Sequence, residues 1–189
     1  IARPMIFVIW AIIFVFGIWI ISTYNGLTAL RLRIQNAWRQ IDVQLKRRYD
    51  LIPNLVETVK GYMQYEQDTL QKVIDARSQA MAAKGVKESA EAQTALTQSL
   101  GKVFALMENY PELKASKNVS DLQEELTTTE NQIAFARQYY NDLVTQYNTK
   151  QQVFPSNLLA GLFGFKPSEF FEVAEAEKAL PRVNLSLSR

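Results

Sequence analysis

The stretch LQEELTTTENQIAFARQYYNDLVTQY (122–147) decides the fold of this 189-residue chain. Its apolar and small residues recur at alternating steps of four and three, a seven-residue repeat that continues for more than three heptads. Such a repeat is typical of a long helix at the seam of a bundle or coiled coil. The capping-box pair Ser120 and Gln123 marks its beginning and Phe154-Pro155 its end, so we predict a helix over 120–152. The repeat positions are Leu122, Leu126, Thr129, Ile133, Ala136, Tyr140, Leu143 and Tyr147.

Two amphipathic helices are predicted between the N-terminal region and residue 84. Spacings of three and four residues place Leu27, Leu30, Ile34, Ala37, Ile41 and Leu45 on one stripe of a helix over 25–48. The cations Lys46-Arg47-Arg48 would complement the dipole at its C-terminal end. Asp50 is a candidate cap for the next helix, over 51–84, with Pro53 in its first turn, where a missing N–H costs little.

A further helix is predicted over 88–109, before the break at Tyr110-Pro111. Long helices joined by short connections favour antiparallel neighbours, and the chain has only seven Gly and six Pro residues. We therefore predict an all-α protein in which an N-terminal transmembrane helix (1–24) precedes an antiparallel four-helix up-down bundle with long helices (25–153). In this topology the fourth helix returns toward the membrane.

The transmembrane helix is predicted from MIFVIWAIIFVFGIWII (5–21), which contains no charged residue. At the helical rise it covers roughly 25 Å, slightly less than the about 30 Å core of a bilayer, and residues 22–24 extend it. A buried core helix is rarely apolar on every side at this length, and residues 22–25 offer no small-x-small cleavage site for a signal peptide. The residues expected to face lipid are Met5, Phe7, Trp10, Ile13, Phe16, Trp19 and Ile21.

Orientation follows from the flanking cations, because Arg3 stands on one side while Arg31, Arg33 and Arg39 follow on the other. The positive-inside rule then places the large domain in the cytoplasm. Since Gly26 is the strongest helix breaker between the two segments, we expect backbone hydrogen bonding to continue from Met5 to Arg48.

The segment FPSNLLAGLFGF (154–165) is strongly apolar and, by the predicted topology, lies at the membrane-proximal end of the bundle. It is either a short helix resting on the lipid surface or an apolar lid on the open end of the bundle. The contact residues in both cases are Leu158, Leu159, Leu162, Phe163 and Phe165. We expect the tail, 166–189, to be only partly ordered.

Composition excludes most catalytic and metal chemistry. The chain has no Cys and no His, so thiolate and imidazole metal sites, Cys nucleophiles and Ser-His-Asp triads are absent. A net charge of +2 without a clustered basic face argues against nucleic acid as a partner. No cofactor is predicted, and a hydrolase built from carboxylates alone is a minor alternative to a protein that is not an enzyme.

Four blocks of the chain strongly resemble the LemA family: RIQNAWRQIDVQLKRRYDLIPNLVETVKGY (33–62), LMENYPELKAS (106–116), TENQIAFARQYYNDLVTQYNT (129–149) and FPSNLLAGLFGF (154–165). The resemblance runs from about Leu27 to Glu172. It implies a single-pass protein of the bacterial inner (plasma) membrane with a short N-terminus outside and a helical domain in the cytoplasm. The chain departs from the family pattern at Val119 and in PRVNLSL (181–187), where an aromatic residue is usual, which puts the anchoring of that loop and of the tail in doubt.

Four of the residues in these blocks form a polar stripe on the fourth helix: Glu130, Arg137, Asn141 and Asn148. They fall within about 40° of one line, roughly 80° from the centre of the apolar seam. The stripe is either a groove for a ligand or partner, or a hydrogen-bonded network that fixes the register of neighbouring helices.

The function predicted from the sequence is that of a membrane-tethered scaffold or adaptor. It would contact lipid through its N-terminal helix and bind unidentified protein partners, or further copies of itself, at the inner membrane. The alternative is a membrane-shaping or lipid-binding protein that acts through the anchor and residues 154–165.

Overall fold

The computed structural model describes residues 2–172, with side chains from Met5 onward, and over this range it contains helices and no strands. The helices are α1 (Ala2–Lys60), α2 (Gln67–Ala82), α3 (Gly85–Met107), α4 (Pro111–Ala115), α5 (Lys117–Gln152) and α6 (Ser156–Leu162), with a 3-10 turn at Gln64–Glu66. The predicted all-α class is confirmed.

The chain divides into two compact units. Over the described residues, unit 1 comprises 2–46 and Glu130–Phe170, and unit 2 comprises Arg47–Thr129 together with Phe171 and Glu172. The four long helices α1, α2, α3 and α5 contribute to one core in unit 2, whereas unit 1 contains only α1 and α5 of these four. A four-helix bundle spanning 25–153 is therefore not confirmed in detail.

Unit 1 is built on a seam between α1 and α5. The predicted stripe of α1 supplies Leu27, Ile34, Ala37, Ile41 and Leu45, all buried, and α5 supplies Ile133, Tyr140, Leu143, Val144 and Tyr147. The rings of Trp38 and Tyr140 meet across the seam with centroids 5.7 Å apart. Burial of alternate three- and four-residue steps on both helices confirms the predicted apolar faces.

The core of unit 2 draws on five helices. Its buried members include Leu55 of α1, Val73 of α2, Leu96 of α3, Leu113 of α4 and Leu126 of α5. Val119 is also buried in this core, at 2% exposure, so the residue that departs from the family pattern still anchors the start of α5.

The predicted boundary between the first two helices is wrong, because α1 continues through Pro53 to Lys60. A proline inside a helix cannot donate to the carbonyl four residues earlier, which here is Tyr49. The Arg77 Nε of α2 donates to that carbonyl oxygen at 2.7 Å. The Tyr49 carbonyl, which Pro53 leaves without an intrahelical donor, is thus satisfied from the neighbouring helix α2. Asp50 lies inside α1 and is not the cap of a helix.

The role expected of Lys46-Arg47-Arg48 at the end of a helix is also wrong. Since α1 does not end there, Lys46-Arg47-Arg48 does not complement a helix terminus. Instead Arg48 is buried, at 2% exposure, and donates to Gln93 Oε1 at 3.2 Å and to Thr97 Oγ1 at 2.9 Å on α3.

The fourth predicted helix begins earlier than its capping-box pattern indicated. Its first residue is Lys117 rather than Ser120, and the Ser120 amide donates to the Ser116 carbonyl at 3.1 Å. Ser120 therefore lies inside the first turn of α5 and is not its cap. The second predicted helix, 51–84, is also wrong at its start. The chain turns at residues 61–66, not between 48 and 51, and α2 begins at Gln67.

Replacing Arg77 by Leu is expected to lower the free energy of unfolding by about 1–3 kcal/mol, since it removes the donor to the Tyr49 carbonyl. In a Pro53→Ala background the residue at position 53 supplies its own N–H to that carbonyl, so the same substitution should cost less. Chemical unfolding of the four proteins in detergent, followed by helical circular dichroism, measures the coupling. Equal costs in both backgrounds would contradict this account.

Candidate membrane-contact site

The first component of the site is the apolar part of α1. Among the described residues, this is the one helix that is long and apolar enough, by length and composition, to cross a membrane. Six of the seven side chains predicted to face lipid are exposed, and Trp19 is half-buried, with its ring centroid 5.6 Å from that of Phe16. A continuous exposed apolar surface of this kind marks contact with a membrane or a partner.

The second component is α6 with the turn before it. Leu159 and Ala160 are buried, at 6% and 3% exposure, and face the rest of unit 1. Leu158 and Leu162 point the other way, at 63% and 77% exposure. The helix therefore has one face packed on protein and one apolar face in contact with no residue that would bury it.

The residues flanking α6 extend its exposed face. Phe154 is 79% exposed, and Val153 and Phe163 are each 48% exposed. Phe165, the last of the predicted contact residues, is half-buried. The predicted contact residues therefore fall into two groups. Leu159 is buried against protein, as a lid residue would be, whereas Leu158, Leu162 and Phe163 are exposed to another surface.

Tyr24 joins the two components. Its ring packs against those of Phe163 and Phe165, with centroids 5.0 Å and 5.6 Å away and both pairs in edge-to-face geometry. Aromatic pairs in this arrangement contribute about 0.5–1.5 kcal/mol beyond their burial. Since Tyr24 directly follows the apolar span, the exposed face of α6 lies beside the end of that span.

Hydrogen bonds fix both ends of α6. Ser156 Oγ lies 2.7 Å from the Lys150 carbonyl oxygen and 3.0 Å from that of Val153, so its proton satisfies the C-terminal end of α5. Beyond α6, Gly164 has a φ of +69°, its amide donates to Gly161, and the Phe165 amide donates to the Ala160 carbonyl at 2.9 Å. This is a Schellman motif, which favours glycine at the position of positive φ.

The polar stripe of α5 contributes one residue to this arrangement. Asn148 Nδ2 donates to the Ser168 carbonyl at 2.9 Å, and its Oδ1 accepts from the Ser168 amide at 2.9 Å. Glu130, Arg137 and Asn141 are half-buried on the same helix. For these three, the choice between a register network and a partner groove stays a prediction.

Two neighbouring side chains complete the binding of the C-terminal segment. Tyr140 donates its hydroxyl to the Glu169 carbonyl at 2.9 Å, and Gln151 Nε2 donates to the Lys166 carbonyl at 3.4 Å. Of the tail that is expected to be only partly ordered (166–189), Lys166–Glu169 is hydrogen-bonded to α5 and Phe171 is 2% exposed. Residues 173–189 lie outside the described residues.

One feature of the sequence points to the docking of the C-terminal segment on α5. A tyrosine on an apolar seam needs a hydrogen-bond partner for its hydroxyl, and Tyr140 is such a residue. Burial, and then the nearby Glu169, raise the pKa of Tyr140, so the hydroxyl stays a neutral donor. Burial also raises the pKa of Tyr147, with the Arg31 charge acting in the opposite direction.

The chemistry available here is that of surface contact. In the range that the structure describes, no three or more Asp or Glu side chains converge in a way that would hold a metal ion. The site consists of apolar side chains held at a fixed orientation by aromatic packing and by main-chain hydrogen bonds.

Comparison with known proteins relates the chain to one family. The model of the LemA family matches residues 37–185. Protein LemA of Metamycoplasma hominis is 29% identical over 146 residues, which cover 77% of this chain and 67% of that protein. Magnetosome protein MamQ 2 of Paramagnetospirillum magneticum is 23% identical, covering 81% and 66% of the two chains. MamQ of Magnetospirillum gryphiswaldense is 22% identical, covering 80% and 65%, so the chain spans about two thirds of the length of these curated relatives.

Asn148→Ala is expected to release the C-terminal segment, because it removes both hydrogen bonds to Ser168. Amide hydrogen exchange at Ser168 should accelerate by about tenfold, the equivalent of roughly 1.4 kcal/mol. Asn148→Asp is the matched control, since it keeps the oxygen that accepts from the Ser168 amide. Unchanged exchange in Asn148→Ala would show that the segment is held by other contacts.

Proposed function

This chain belongs to the LemA family, and from that premise we propose that it is a membrane-anchored helical scaffold whose α6 face rests on the lipid surface. The observation that carries the proposal is the outward apolar face of α6, beside the end of the apolar span. On α6 and its flanks the exposed large apolar side chains are Val153, Phe154, Leu158, Leu162 and Phe163, each 48% exposed or more.

The energetics favour lipid as the occupant of this face. Complete burial of one large apolar side chain stabilises by about 1.5–3 kcal/mol, and partial burial at an interface by less. Because α1 already holds unit 1 at the membrane, contact by α6 is intramolecular in effect and needs no second association step. Several partly buried side chains are then sufficient to keep the segment at the interface.

Tyr24 and the α6 contacts support the same interpretation of the anchor. An aromatic ring directly after an apolar span is the usual residue at the level of the lipid headgroups. Packing of Phe163 and Phe165 on that ring sets α6 at the same level. The earlier alternatives, lid and lipid contact, are therefore compatible: Leu159 and Ala160 serve the first, and the outer face serves the second.

The scaffold part of the proposal concerns protein partners. Phe135 and Tyr139 are 73% and 50% exposed and stand four residues apart, on one face of α5. By helical geometry this face is roughly 140–180° from the polar stripe, away from the docked C-terminal segment. We propose it as the surface that a partner protein, or a second copy of the chain, contacts at the inner membrane, with the domain in the cytoplasm and no catalysis.

Lipid contact by α6 is tested by site-directed spin labelling, for which the natural absence of Cys is an advantage. In full-length protein in liposomes, a nitroxide at Leu162→Cys or Leu158→Cys should be accessible to oxygen and protected from a water-soluble nickel reagent. A label at Gln146→Cys, an exposed site on α5, should show the opposite. Water exposure at positions 158 and 162 would overturn the proposal.

The same Gln146→Cys variant tests the orientation. Because the excess of cations follows the span, a membrane-impermeant thiol reagent should label this cysteine in inside-out vesicles and not in intact spheroplasts. Labelling in spheroplasts would place the domain on the other side.

The partner surface is tested by photo-crosslinking in native membranes. A photoreactive residue at Phe135 should yield discrete protein adducts, and Tyr139→Ser should reduce their yield severalfold. The same photoreactive residue at Ala134, which is exposed and about 100° around α5 from Phe135, serves as the control. A strict monomer without adducts from position 135 would remove the support for a scaffold while leaving lipid contact intact.

A further inference from the structure

Two stretches of unit 1 near the apolar span carry charges of one sign, and the acidic residues Asp42, Asp142 and Glu169 stand just beyond their ends. From Met5 to Ile41 the only charged residues are Arg31, Arg33 and Arg39, and from Leu143 to Ser168 they are Lys150 and Lys166. Neither stretch contains an Asp or Glu, although the chain as a whole has 19 acidic residues against 21 basic ones. The separation of charge is therefore local to the part of unit 1 next to the apolar span.

The fold of unit 1 brings these two stretches together. The ammonium group of Lys150, on the opposite helix, lies over Gly26, where a Cβ would meet it, so this cation stands about half a turn beyond Tyr24. Arg31 is close enough to Tyr147 to affect the pKa of its hydroxyl. Both helices thus contribute cations just beyond the end of the span.

Lys166 adds a cation from the segment that follows α6. It comes directly after Phe165, which packs on Tyr24, and its carbonyl oxygen accepts a hydrogen bond from Gln151. Its backbone position is therefore fixed beside the exposed apolar face, and its side chain is exposed.

We propose that this part of unit 1 is a recognition surface for acidic phospholipids, in which the α6 face enters the headgroup region and Lys150, Lys166 and Arg31 contact lipid phosphate. The inference rests on the proposed lipid contact of α6 and adds the class of lipid. An apolar face bordered by cations of one sign is the combination that binds anionic membrane surfaces. Each cation near such a surface strengthens the contact by a factor of about five, and added salt weakens it.

The experiment uses the full chain, spin-labelled at Leu162→Cys, in phosphatidylcholine vesicles with and without phosphatidylglycerol. The ratio of lipid-buried to water-exposed label should rise when the anionic lipid is included. Lys150→Gln with Lys166→Gln should lower that ratio by about 25-fold in the anionic vesicles and have little effect in the neutral ones. The control pair is Lys72→Gln with Lys102→Gln, two exposed lysines of unit 2, which should change nothing.

The outcomes separate this inference from the proposed function. If the label is lipid-buried to the same extent in both vesicles and in all variants, lipid contact stands and recognition of acidic headgroups is overturned. If the label is exposed to water in every vesicle, the proposed function itself fails.

Helical circular dichroism of each variant verifies that the lysine substitutions leave the fold intact. Loss of the anionic effect in strong salt supports a charge-based contact. Protection of the label by an added acidic protein or nucleic acid, with no response to phosphatidylglycerol, would overturn the choice of lipid as the partner.

Discussion

The continuity of α1 from Ala2 to Lys60 is the constraint on which the rest of the structure depends. One helix supplies the apolar span, one side of the unit 1 seam and part of the unit 2 core. A segment that crosses a bilayer must satisfy every backbone polar group internally, and a helix does so. Further along, α1 continues past Pro53, and the Tyr49 carbonyl accepts its hydrogen bond from Arg77 Nε in place of the N–H that proline lacks. The interaction holds α2 against α1 at the point where the helix would otherwise break.

Features that depend on short-range pattern were predictable from the sequence, and features that depend on distant partners were not. The heptads of α5 and the stripe of α1 are local periodicities, and they identified the buried residues of the seam. At Pro53 the open carbonyl of Tyr49 is bonded by Arg77, 28 residues after Tyr49, so local rules placed a boundary there. The docking of Lys166–Glu169 relies on side chains that bind main-chain atoms, which leaves no apolar periodicity to detect.

In the candidate site, too, local pattern was predictable and distant contacts were not. The sequence identified residues 154–165 as an apolar segment but left open whether it touches protein or lipid. The structure assigns its two faces separately: Leu159 and Ala160 pack on unit 1, while Leu158 and Leu162 are exposed. Asn148, Gln151 and the Schellman motif at Gly164 then hold the chain after α6 in place. Asn148 of the polar stripe thus serves the candidate membrane-contact site indirectly, by fixing the segment that follows α6.

The central claim is that the outer face of α6 lies in lipid beside the anchor. Solid-state NMR of the full chain in bilayers tests it most directly, through magnetisation transfer from lipid acyl protons to leucine methyl groups. The account predicts rapid transfer to Leu158 and Leu162 and slow transfer to Leu159, which is buried against protein on the same short helix. Equal, slow transfer to all three, with rapid transfer from water to Leu158 and Leu162, would contradict it.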